Sequence, residues 1–471
     1  MALAPLFRQL AIALFALAVA MALALLVAFV HDEPAKGPFA IGLFLAAFFG
    51  GCLLITSRSV PRRRPARSGF RELVLALSIF WLAAPVFGAM PFLSPSMSFS
   101  DAWFEAVSAL TTTGGWLSDP GARSTASGMI YRASLQWLGG LVSLGTAAAV
   151  FVRPEFVGVQ PPTPPFARGK RDSYLRAFSS AINTFAPIYA SLSLFSYAAF
   201  IIVGVPMIDA VTLALSFVAT GGFLPQPGGL EAYGSGAVVV GTLTMAASAI
   251  NFVVLARLAV PGRGRFKAGP DPETRVFFLM IVPLAVLFWL SIGQAAPSAI
   301  LQQLVNAVSL LSTSGLLIGD TPALTPLLIT AVVGGAAVST AGGIKLLRWL
   351  ITFQRAGQEL WQLTHPGGVL GSKRPLFFEF GVWIHTIAFT LVLASLVLTV
   401  AFFGHDLELA ATAAVAAVTN SGPLLAAAPG TTADFFIFEE PLRLLLAVGM
   451  IAGRLELVVL LLLFDREFWA G

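Results

Sequence analysis

Charge is scarce in this chain of 471 residues, because Asp, Glu, Lys and Arg make up only 11% of it while 57% of the residues are hydrophobic. A water-soluble protein of this length needs far more surface charge, so the composition excludes a soluble globular protein. Cysteine is almost absent: Cys52 is the only one, which excludes a disulfide framework. Cys52 lies within an apolar run, and we expect it to be packed against other helices.

The chain also lacks the residue clusters that enzymes use. Its four histidines lie far apart without the spacing of metal ligands, and no nucleophile, base and metal ligand come together in the repeated loops described below. We therefore expect a protein that is not an enzyme and that binds no cofactor of its own. A membrane enzyme or receptor remains the competing class.

Long apolar runs are abundant. Windows of about 20 apolar residues recur along the whole chain, and each can cross roughly 30 Å of hydrocarbon as a helix. The first, residues 6–30, is longer than the apolar region of a signal peptide and has no small-residue cleavage site, so we expect it to be retained as a span. The sequence thus predicts an all-α polytopic membrane protein.

Lys and Arg are concentrated in four short segments, which are residues 58–71, 153–176, 257–275 and 345–374. Positive loops stay in the cytoplasm, and two long apolar segments separate each pair of clusters. We therefore expect the chain to leave and return between clusters, with a cytoplasmic N-terminus. A nucleic-acid or acidic-lipid site is the alternative interpretation, but the even spacing between spans favours topology, and we expect no nucleic-acid partner.

A third, shorter apolar stretch of about 10 to 13 residues lies between each exit and return, and it is too short to cross the bilayer. Four such stretches align without a gap on a glycine, here called the anchor glycine, and the residues before it are numbered −1, −2 and −3. The aligned segments are DAWFEAVSALTTTG (101–114), DAVTLALSFVATGG (209–222), QQLVNAVSLLSTSG (302–315) and LAATAAVAAVTNSG (409–422). The anchors lie 108, 93 and 107 residues apart, which predicts four tandem repeats of span, pore helix, polar turn and span.

The anchor of the second repeat is ambiguous, because Gly221 and Gly222 are adjacent. We choose Gly222, since it keeps Asp209 the same 13 residues upstream that separate Asp101 from Gly114. These two carboxylates either cap helices at the outer mouth or bind ions. A single turn of small residues is more often a packing notch between helices, but four copies in register favour a shared site.

The polar turns would place irregular backbone at membrane depth, which is tolerated only where protein covers it or where it lines a wet passage. Around one axis, four turns would offer rings of carbonyl and hydroxyl oxygens that replace the hydration shell of a cation. Glycine would permit positive φ and keep the centre free of side chains, and the pore helices would direct partially negative C-terminal ends at the axis. The candidate ion-binding residues are Thr111, Thr112, Thr113, Gly114, Ala219, Thr220, Gly221, Gly222, Ser312, Thr313, Ser314, Gly315, Thr419, Asn420, Ser421 and Gly422.

The second span of the third repeat contains four glycines within ten positions, which are Gly334, Gly335, Gly342 and Gly343. Each destabilises a helix by about 1 kcal/mol relative to alanine, so we expect the span to break. A loop lying across the permeation path would then follow. A plain small-residue packing face is the alternative.

Arg454 lies inside the final apolar run, where a cation costs at least a few kcal/mol and is expected to face a partner or water. We expect it to line the pore. Glu456 is the alternative partner, although residues two apart face different sides of a helix. Lys345 ends the glycine-rich segment and is a second candidate, or else marks the cytoplasmic end of the span.

Motifs over nearly the whole chain are shared with one known family. They are ALTTTGG with QWLGGL (136–141), SFVATGGF (216–223), LSTSGL with GGAAVSTAGGIKLLR (334–348), ELWQLTHPGG (359–368), and TNSGP with AGRLEL (452–457). With them the chain resembles the Trk/Ktr/HKT superfamily of potassium and sodium transporters, most closely the bacterial Trk membrane subunit.

The resemblance implies K⁺ uptake across the bacterial inner membrane through four non-identical repeats around one pseudo-fourfold pore. It also implies a homodimer and a cytosolic regulatory ring that binds the nucleotide, NAD(H) or ATP/ADP, which this chain does not bind. The glycine-rich segment would be an intramembrane gating loop, and Arg454 a positive barrier beneath the filter. A secondary transporter coupled to H⁺ or Na⁺ is the alternative, against which the common orientation of the repeats argues.

The resemblance further implies two extra helices at the start, which would match residues 7–30 and 38–56. The predicted units are an N-terminal transmembrane hairpin at 1–57 and four pore repeats at 72–153, 176–258, 275–352 and 376–465.

Overall fold

The computed structural model describes residues 3–59, 70–94, 97–117, 125–151, 174–226, 228–259, 271–293, 296–366, 377–431, 434–455, 462–463, 466 and 469. Its α-helices are α1 (Leu3–Val30), α2 (Lys36–Ser59), α3 (Phe70–Ala89), α4 (Phe99–Leu110), α5 (Ala126–Phe151), α6 (Tyr174–Ile202), α7 (Met207–Val218), α8 (Ser235–Ala249), α9 (Phe252–Ala259), α10 (Pro272–Ser291), α11 (Ile300–Leu311), α12 (Leu324–Val333), α13 (Leu346–Thr364), α14 (Phe377–Phe402), α15 (Leu407–Val418) and α16 (Glu440–Arg454). Short 3-10 helices occur at Met90–Phe92, Glu231–Tyr233, Pro297–Ala299, Gly422–Ala427 and Phe435–Ile437.

Within these ranges the fold is all-α, as predicted. Six helices (α1, α2, α3, α6, α10 and α14) are long and apolar enough to cross a membrane, and the bent pair α8 and α9 would add a seventh if it forms one span. These helices expose large apolar side chains such as Leu194, Leu279 and Leu398. Lipid is the ordinary environment for such a surface, so the prediction of a multi-pass membrane protein is confirmed.

Helices α1 and α2 form the predicted N-terminal hairpin and pack along most of their length. Glu33, in the turn between them, accepts a hydrogen bond from the backbone N–H of Ala126 at 2.8 Å and so ties the hairpin to the start of α5. The expectation that Cys52 is packed inside is wrong, because its side chain lies on the exposed face of α2.

The four predicted pore helices are α4, α7, α11 and α15, and each has 12 residues. Each ends four residues before its anchor glycine. These helices form the centre of the fold: the alanine eight residues before each anchor is buried in all four (Ala106, Ala214, Ala307 and Ala414). A small side chain is needed there because the surrounding spans approach closely, as Gly88 of α3 does to Ala106.

In the described part of the chain, the second span is broken in two repeats. In the third repeat, α12 ends at Val333 and α13 begins at Leu346, so the predicted break is present; residues 334–345 are called the glycine-rich loop below. In the second repeat, α8 and α9 meet at 101°, a break that the sequence analysis did not predict.

The bounds of the five predicted units stay a prediction, and four of them (1, 153, 376 and 465) lie outside the described residues. Glu456, the alternative partner of Arg454, also lies outside them, as do most residues of the four basic segments.

Candidate functional site

The polar turns share one backbone geometry in all four repeats. The −2 residue adopts a left-handed conformation each time, with φ of 56° at Thr112, 55° at Thr220, 61° at Thr313 and 56° at Asn420. The N–H of the −1 residue donates to the carbonyl oxygen five residues earlier, at 2.9 Å for Thr113, 2.8 Å for Gly221, 2.9 Å for Ser314 and 2.9 Å for Ser421. A β-branched residue in this conformation costs of order 1–3 kcal/mol, so the surrounding structure must hold the turns in place. In the second repeat, Gly222 rather than Gly221 occupies the anchor position.

The four turns converge on a closed ring, here called the four-turn ring. Each anchor glycine lies against the carbonyl oxygen of the −1 residue in the next repeat, and the fourth lies against the first. From the position that an ideal Cβ would take, the distances to that oxygen are 1.7 Å for Gly114 to Gly221, 2.1 Å for Gly222 to Ser314, 2.8 Å for Gly315 to Ser421, and 2.8 Å for Gly422 to Thr113. Any side chain at an anchor would therefore displace a ring carbonyl.

Gly422 differs from the other anchors. Gly114, Gly222 and Gly315 have φ of 75°, 65° and 73°, whereas Gly422 is not in the left-handed region. Positive φ therefore accounts for three of the anchor glycines but not for Gly422. It begins a 3-10 helix with Pro423 next in line, and its N–H donates to the Thr113 carbonyl at 2.6 Å. Glycine is required there for space, because an ideal Cβ would lie 2.2 Å from the backbone nitrogen of Gly115.

Side chains at −2 are already engaged by protein groups. Thr313 Oγ1 accepts a hydrogen bond from the N–H of Gly342 at 2.6 Å, and Thr112 Oγ1 binds the guanidinium of Arg454. Asn420 Nδ2 donates to Thr113 Oγ1 at 3.0 Å, which links the fourth repeat to the first. Position −2 is thus a junction between the ring and its neighbours.

The glycine-rich loop lies directly against the ring. It contacts the end of the second pore helix, four residues before the anchor glycine, and residues at −3 and −2 of other repeats. Thr340 Oγ1 donates to the carbonyl of Val218, at the end of the second pore helix, at 3.2 Å. Gly342 contacts the third repeat through Thr313, and an ideal Cβ on it would lie 2.0 Å from the Thr419 carbonyl of the fourth repeat. The loop therefore packs across the ring rather than beside it.

Arg454 completes the contact on the side of the first repeat. The residue is 5% exposed. Its Nε donates to the Thr111 carbonyl at 2.5 Å, and its Nη1 donates to the Thr340 carbonyl at 2.8 Å. Thr111 caps the C-terminal end of α4, where the helix dipole is partially negative, so the position favours a cation.

Lys345 is the last residue of the glycine-rich loop, with φ of 82°. It is 6% exposed, and its Nζ donates to the carbonyls of Ser339, at 3.5 Å, and Ala341. These loop carbonyls enclose its ammonium group, so Lys345 is part of the loop, and its place at the cytoplasmic end of the span stays an alternative. Gly334 and Gly343 have φ of 74° each, which allows the loop to reverse at both of its ends.

Glu273, a residue that the sequence analysis missed, anchors the glycine-rich loop from α10. Its carboxylate is 4% exposed. One oxygen accepts from the N–H of Ala337 at 2.5 Å, and the other accepts from Asn251 Nδ2, at the α8–α9 break, at 3.4 Å. Because Glu273 lies in the first turn of α10, among other charged residues, no signal in the sequence singles it out.

On the other side of the ring, pore-helix side chains bind the segments that follow the turns. Glu105 accepts from the N–H of Leu117 at 2.8 Å and pairs with Arg132 Nε at 2.8 Å. At the same position of the third repeat, Asn306 accepts from the N–H of Ile318 at 2.8 Å. These bonds hold each returning chain against its own pore helix.

The two carboxylates at the starts of pore helices are also engaged. Asp101 pairs with Arg443 of α16 at 2.7 Å. Asp209 accepts a hydrogen bond from the Tyr233 hydroxyl at 2.9 Å. Burial, as the larger cause, and this hydrogen bond, as a smaller one, raise the pKa of Tyr233. The phenol therefore stays protonated and continues to donate. Both acids thus join the starts of their pore helices to segments that lie further along the sequence. No three His, Cys, Asp or Glu side chains in the described part of the chain lie close enough to hold a metal ion.

Comparison with known proteins agrees with this architecture. The TrkH family of cation transport proteins matches residues 38–469. The chain is 29% identical to the Trk system potassium uptake protein TrkI of Halomonas elongata, over 99% of this chain and 97% of that protein. It is 30% identical to the Trk system potassium uptake protein TrkH of Salmonella typhimurium, over 94% of each.

The fold also matches a solved structure. The crystal structure of the potassium transporter TrkH from Vibrio parahaemolyticus is similar with a TM-score of 0.84 and 28% sequence identity, over 100% of both chains. Family, relatives and fold thus agree over nearly the whole length. The chain belongs to the TrkH family of cation transport proteins and is a multi-pass membrane transporter rather than an enzyme.

Proposed function

We propose that this chain carries K⁺ across the bacterial inner membrane through the four-turn ring, which acts as its selectivity filter. The closed ring is the observation that carries the proposal, because four strained turns from distant parts of the chain hold carbonyl oxygens around one centre. Rings of such oxygens replace the hydration shell of K⁺. The relatives are named as potassium uptake proteins, which supports K⁺ as the transported ion. The residues from −3 to the anchor in each repeat bind the ion.

The glycine-rich loop, with Lys345 and Arg454, is the gate in this proposal. Support comes from its contacts with the second, third and fourth repeats, and from Arg454, which binds both the loop and the first repeat. Helix α13 follows the loop directly, so a displacement of α13 would move the loop. The N-terminus lies in the cytoplasm, and the chain functions as a homodimer with a cytosolic nucleotide-binding ring. The basic segments support this orientation.

Ion flux into liposomes that contain the purified full-length chain tests the filter. Gly114→Ser and Gly222→Ser should lose the preference for K⁺ over Na⁺ while the protein still inserts and dimerises, since each serine side chain would displace a ring carbonyl. An unchanged preference in both variants would contradict the filter.

The same liposomes separate a channel from a coupled transporter. We expect flux driven by a K⁺ gradient alone, independent of pH and of Na⁺. An obligatory dependence on either ion would favour the symporter alternative.

Regulation is tested by co-expressing the chain with the Trk-type nucleotide-binding protein of the same organism. The two should elute together, and NAD(H) or ATP/ADP should change the flux only when both are present. Separate elution with no effect of nucleotide would contradict the regulatory ring.

A further inference from the structure

The second repeat lacks the hydroxyl groups that the other three carry beside the ring. In those three repeats the side chains at −3 and −1 hydrogen-bond to each other, at 2.8 Å for Thr111 and Thr113, 3.0 Å for Ser312 and Ser314, and 2.6 Å for Thr419 and Ser421. The second repeat has Ala219 and Gly221 at these positions. One quarter of the ring therefore has no hydroxyl pair from its own turn.

The side-chain amide of Gln136, which projects from α5, occupies the empty quarter. An ideal Cβ on Gly221 would lie 2.4 Å from Cδ, 2.5 Å from Nε2 and 2.6 Å from Oε1 of Gln136. The amide thus fills the volume that a side chain at Gly221 would take. Its Nε2 donates to the Gly221 carbonyl at 3.2 Å, and this is the same carbonyl that lies against Gly114 in the ring.

Gln136 keeps one oxygen unused by the protein. The residue is 1% exposed, and its Oε1 has no hydrogen-bond partner among the described residues. An unsatisfied buried acceptor costs about 1–3 kcal/mol, so a chain that only needed to fill space would be more stable with an apolar side chain here. The cost is offset if this oxygen binds the permeating ion or its hydration water.

We propose that Gln136, a residue of the first repeat, is a specificity-determining residue at the turn of the second repeat. Its Nε2 holds the Gly221 carbonyl in the ring, and its Oε1 supplies to the permeating ion or its water the side-chain oxygen that hydroxyl groups supply in the other repeats. This inference rests on the proposed function of the four-turn ring as a filter.

Variants of Gln136 and Gly221 test the inference. The preference for K⁺ over Na⁺ is measured for each variant as the ratio of the two fluxes into liposomes. Gln136→Leu removes both polar atoms at similar volume, and Gly221→Ser collides with the amide; each should lower the preference about tenfold, as expected for one lost polar contact. Gly221 is not in the left-handed region, so serine fits its backbone. The double variant Gln136→Ala with Gly221→Ser makes room for a −1 hydroxyl and should return the preference to within about threefold of the original.

Gly114→Ser, measured in parallel, separates this inference from the proposed function. If Gly114→Ser loses the preference but Gln136→Leu keeps it, Gln136 only fills space and the inference fails while the filter stands. If neither variant changes the preference, the filter itself fails. A double variant no better than its singles would also overturn the inference, provided that it is as monodisperse and as heat-stable as Gly221→Ser.

Discussion

The Nε of Arg454 donates a hydrogen bond to the carbonyl oxygen of Thr111 at 2.5 Å. The same guanidinium binds the Thr340 carbonyl of the glycine-rich loop at 2.8 Å, so one buried cation connects the four-turn ring to the loop beneath it. Hydrogen bonds to charged groups contribute about 1.5–3 kcal/mol each. The charge of this side chain is therefore one of the contacts that hold the loop against the ring, beside those of Thr340, Gly342 and Glu273.

Replacing this residue should open the path. Arg454→Ala removes the guanidinium that binds the loop to the ring, and loss of about 2 kcal/mol should raise K⁺ flux at least about tenfold in liposomes without the regulator. Arg443→Ala is the matched control, because it removes another buried arginine of α16 that contacts Asp101 rather than the loop. Equal flux in Arg454→Ala and the parent chain would contradict a role in gating.

The anchor glycines should differ in sensitivity. In Gly114→Ala, Gly222→Ala and Gly315→Ala the added Cβ would lie 1.7, 2.1 and 2.8 Å from a ring carbonyl, while the φ values are similar. Backbone strain is therefore comparable, and the collision should rank the loss of K⁺ preference in that order.

The ranking is measured as the ratio of K⁺ to Na⁺ flux for the three variants. Gly51→Ala in α2 serves as the control, since no atom lies within 4 Å of its ideal Cβ, and it should retain the original ratio. The steric explanation would be untenable if Gly315→Ala were the most impaired of the three.

Local patterns were sufficient to predict the pore helices and the broken third-repeat span. Four stretches too short to cross the bilayer, each ending in polar residues and a glycine, carry their information within 14 residues. The glycines between Gly334 and Gly343 likewise weaken the helix in which they lie. In both cases the cause of the structure is contained in the segment itself.

The break between α8 and α9 could not be predicted, because its cause lies in another repeat. The sequence around Ala249 and Phe252 has neither glycine nor proline. The freed backbone groups are satisfied by the glycine-rich loop: the N–H of Ala336 donates to the Ala249 carbonyl at 2.9 Å, and the N–H of Phe252 donates to the Val338 carbonyl at 2.8 Å. For the same reason, polarity within an apolar helix could have marked Gln136 but not its partner, and Glu273, in the charged first turn of α10, had no such mark.

Glu273 should control the resting position of the glycine-rich loop. Glu273→Ala leaves the N–H of Ala337 without its carboxylate partner, at about 1–3 kcal/mol, and should raise flux about tenfold in the absence of the regulator. Glu273→Gln keeps an oxygen acceptor and should remain close to the parent chain. Both are measured as K⁺ flux in liposomes.

Asp271→Ala is the matched control for this anchor. Asp271 caps the start of the same helix by accepting from the N–H of Thr274 at 2.9 Å. Its loss should lower thermal stability by about 1 kcal/mol but leave the flux unchanged, since its hydrogen bonds within the described residues go to Thr274. If Asp271→Ala raised the flux as much as Glu273→Ala, the rise would come from weakening α10 as a whole and not from the lost bond to Ala337.

The buried pair of Glu105 and Arg132 should be the most costly to break. Their side chains are 1% and 4% exposed, so Glu105→Ala breaks a buried ion pair and leaves the Arg132 charge buried, at about 3–5 kcal/mol. Glu105→Ala should therefore unfold in detergent at a markedly lower temperature than the parent chain. Its flux per folded molecule should stay close to that of the parent chain, because the pair supports the segment that follows the turn.

The third repeat indicates how the loss can be repaired. Asn306 makes the equivalent backbone bond to Ile318 without any charge. Glu105→Asn combined with Arg132→Leu should therefore keep the bond to Leu117, remove both charges, and recover most of the lost melting temperature. Glu105→Asn alone should remain destabilised, because Arg132 would still be buried without its carboxylate. If the double variant melts no higher than Glu105→Ala, the pair contributes through packing that neither asparagine nor leucine reproduces, and the charge argument is wrong.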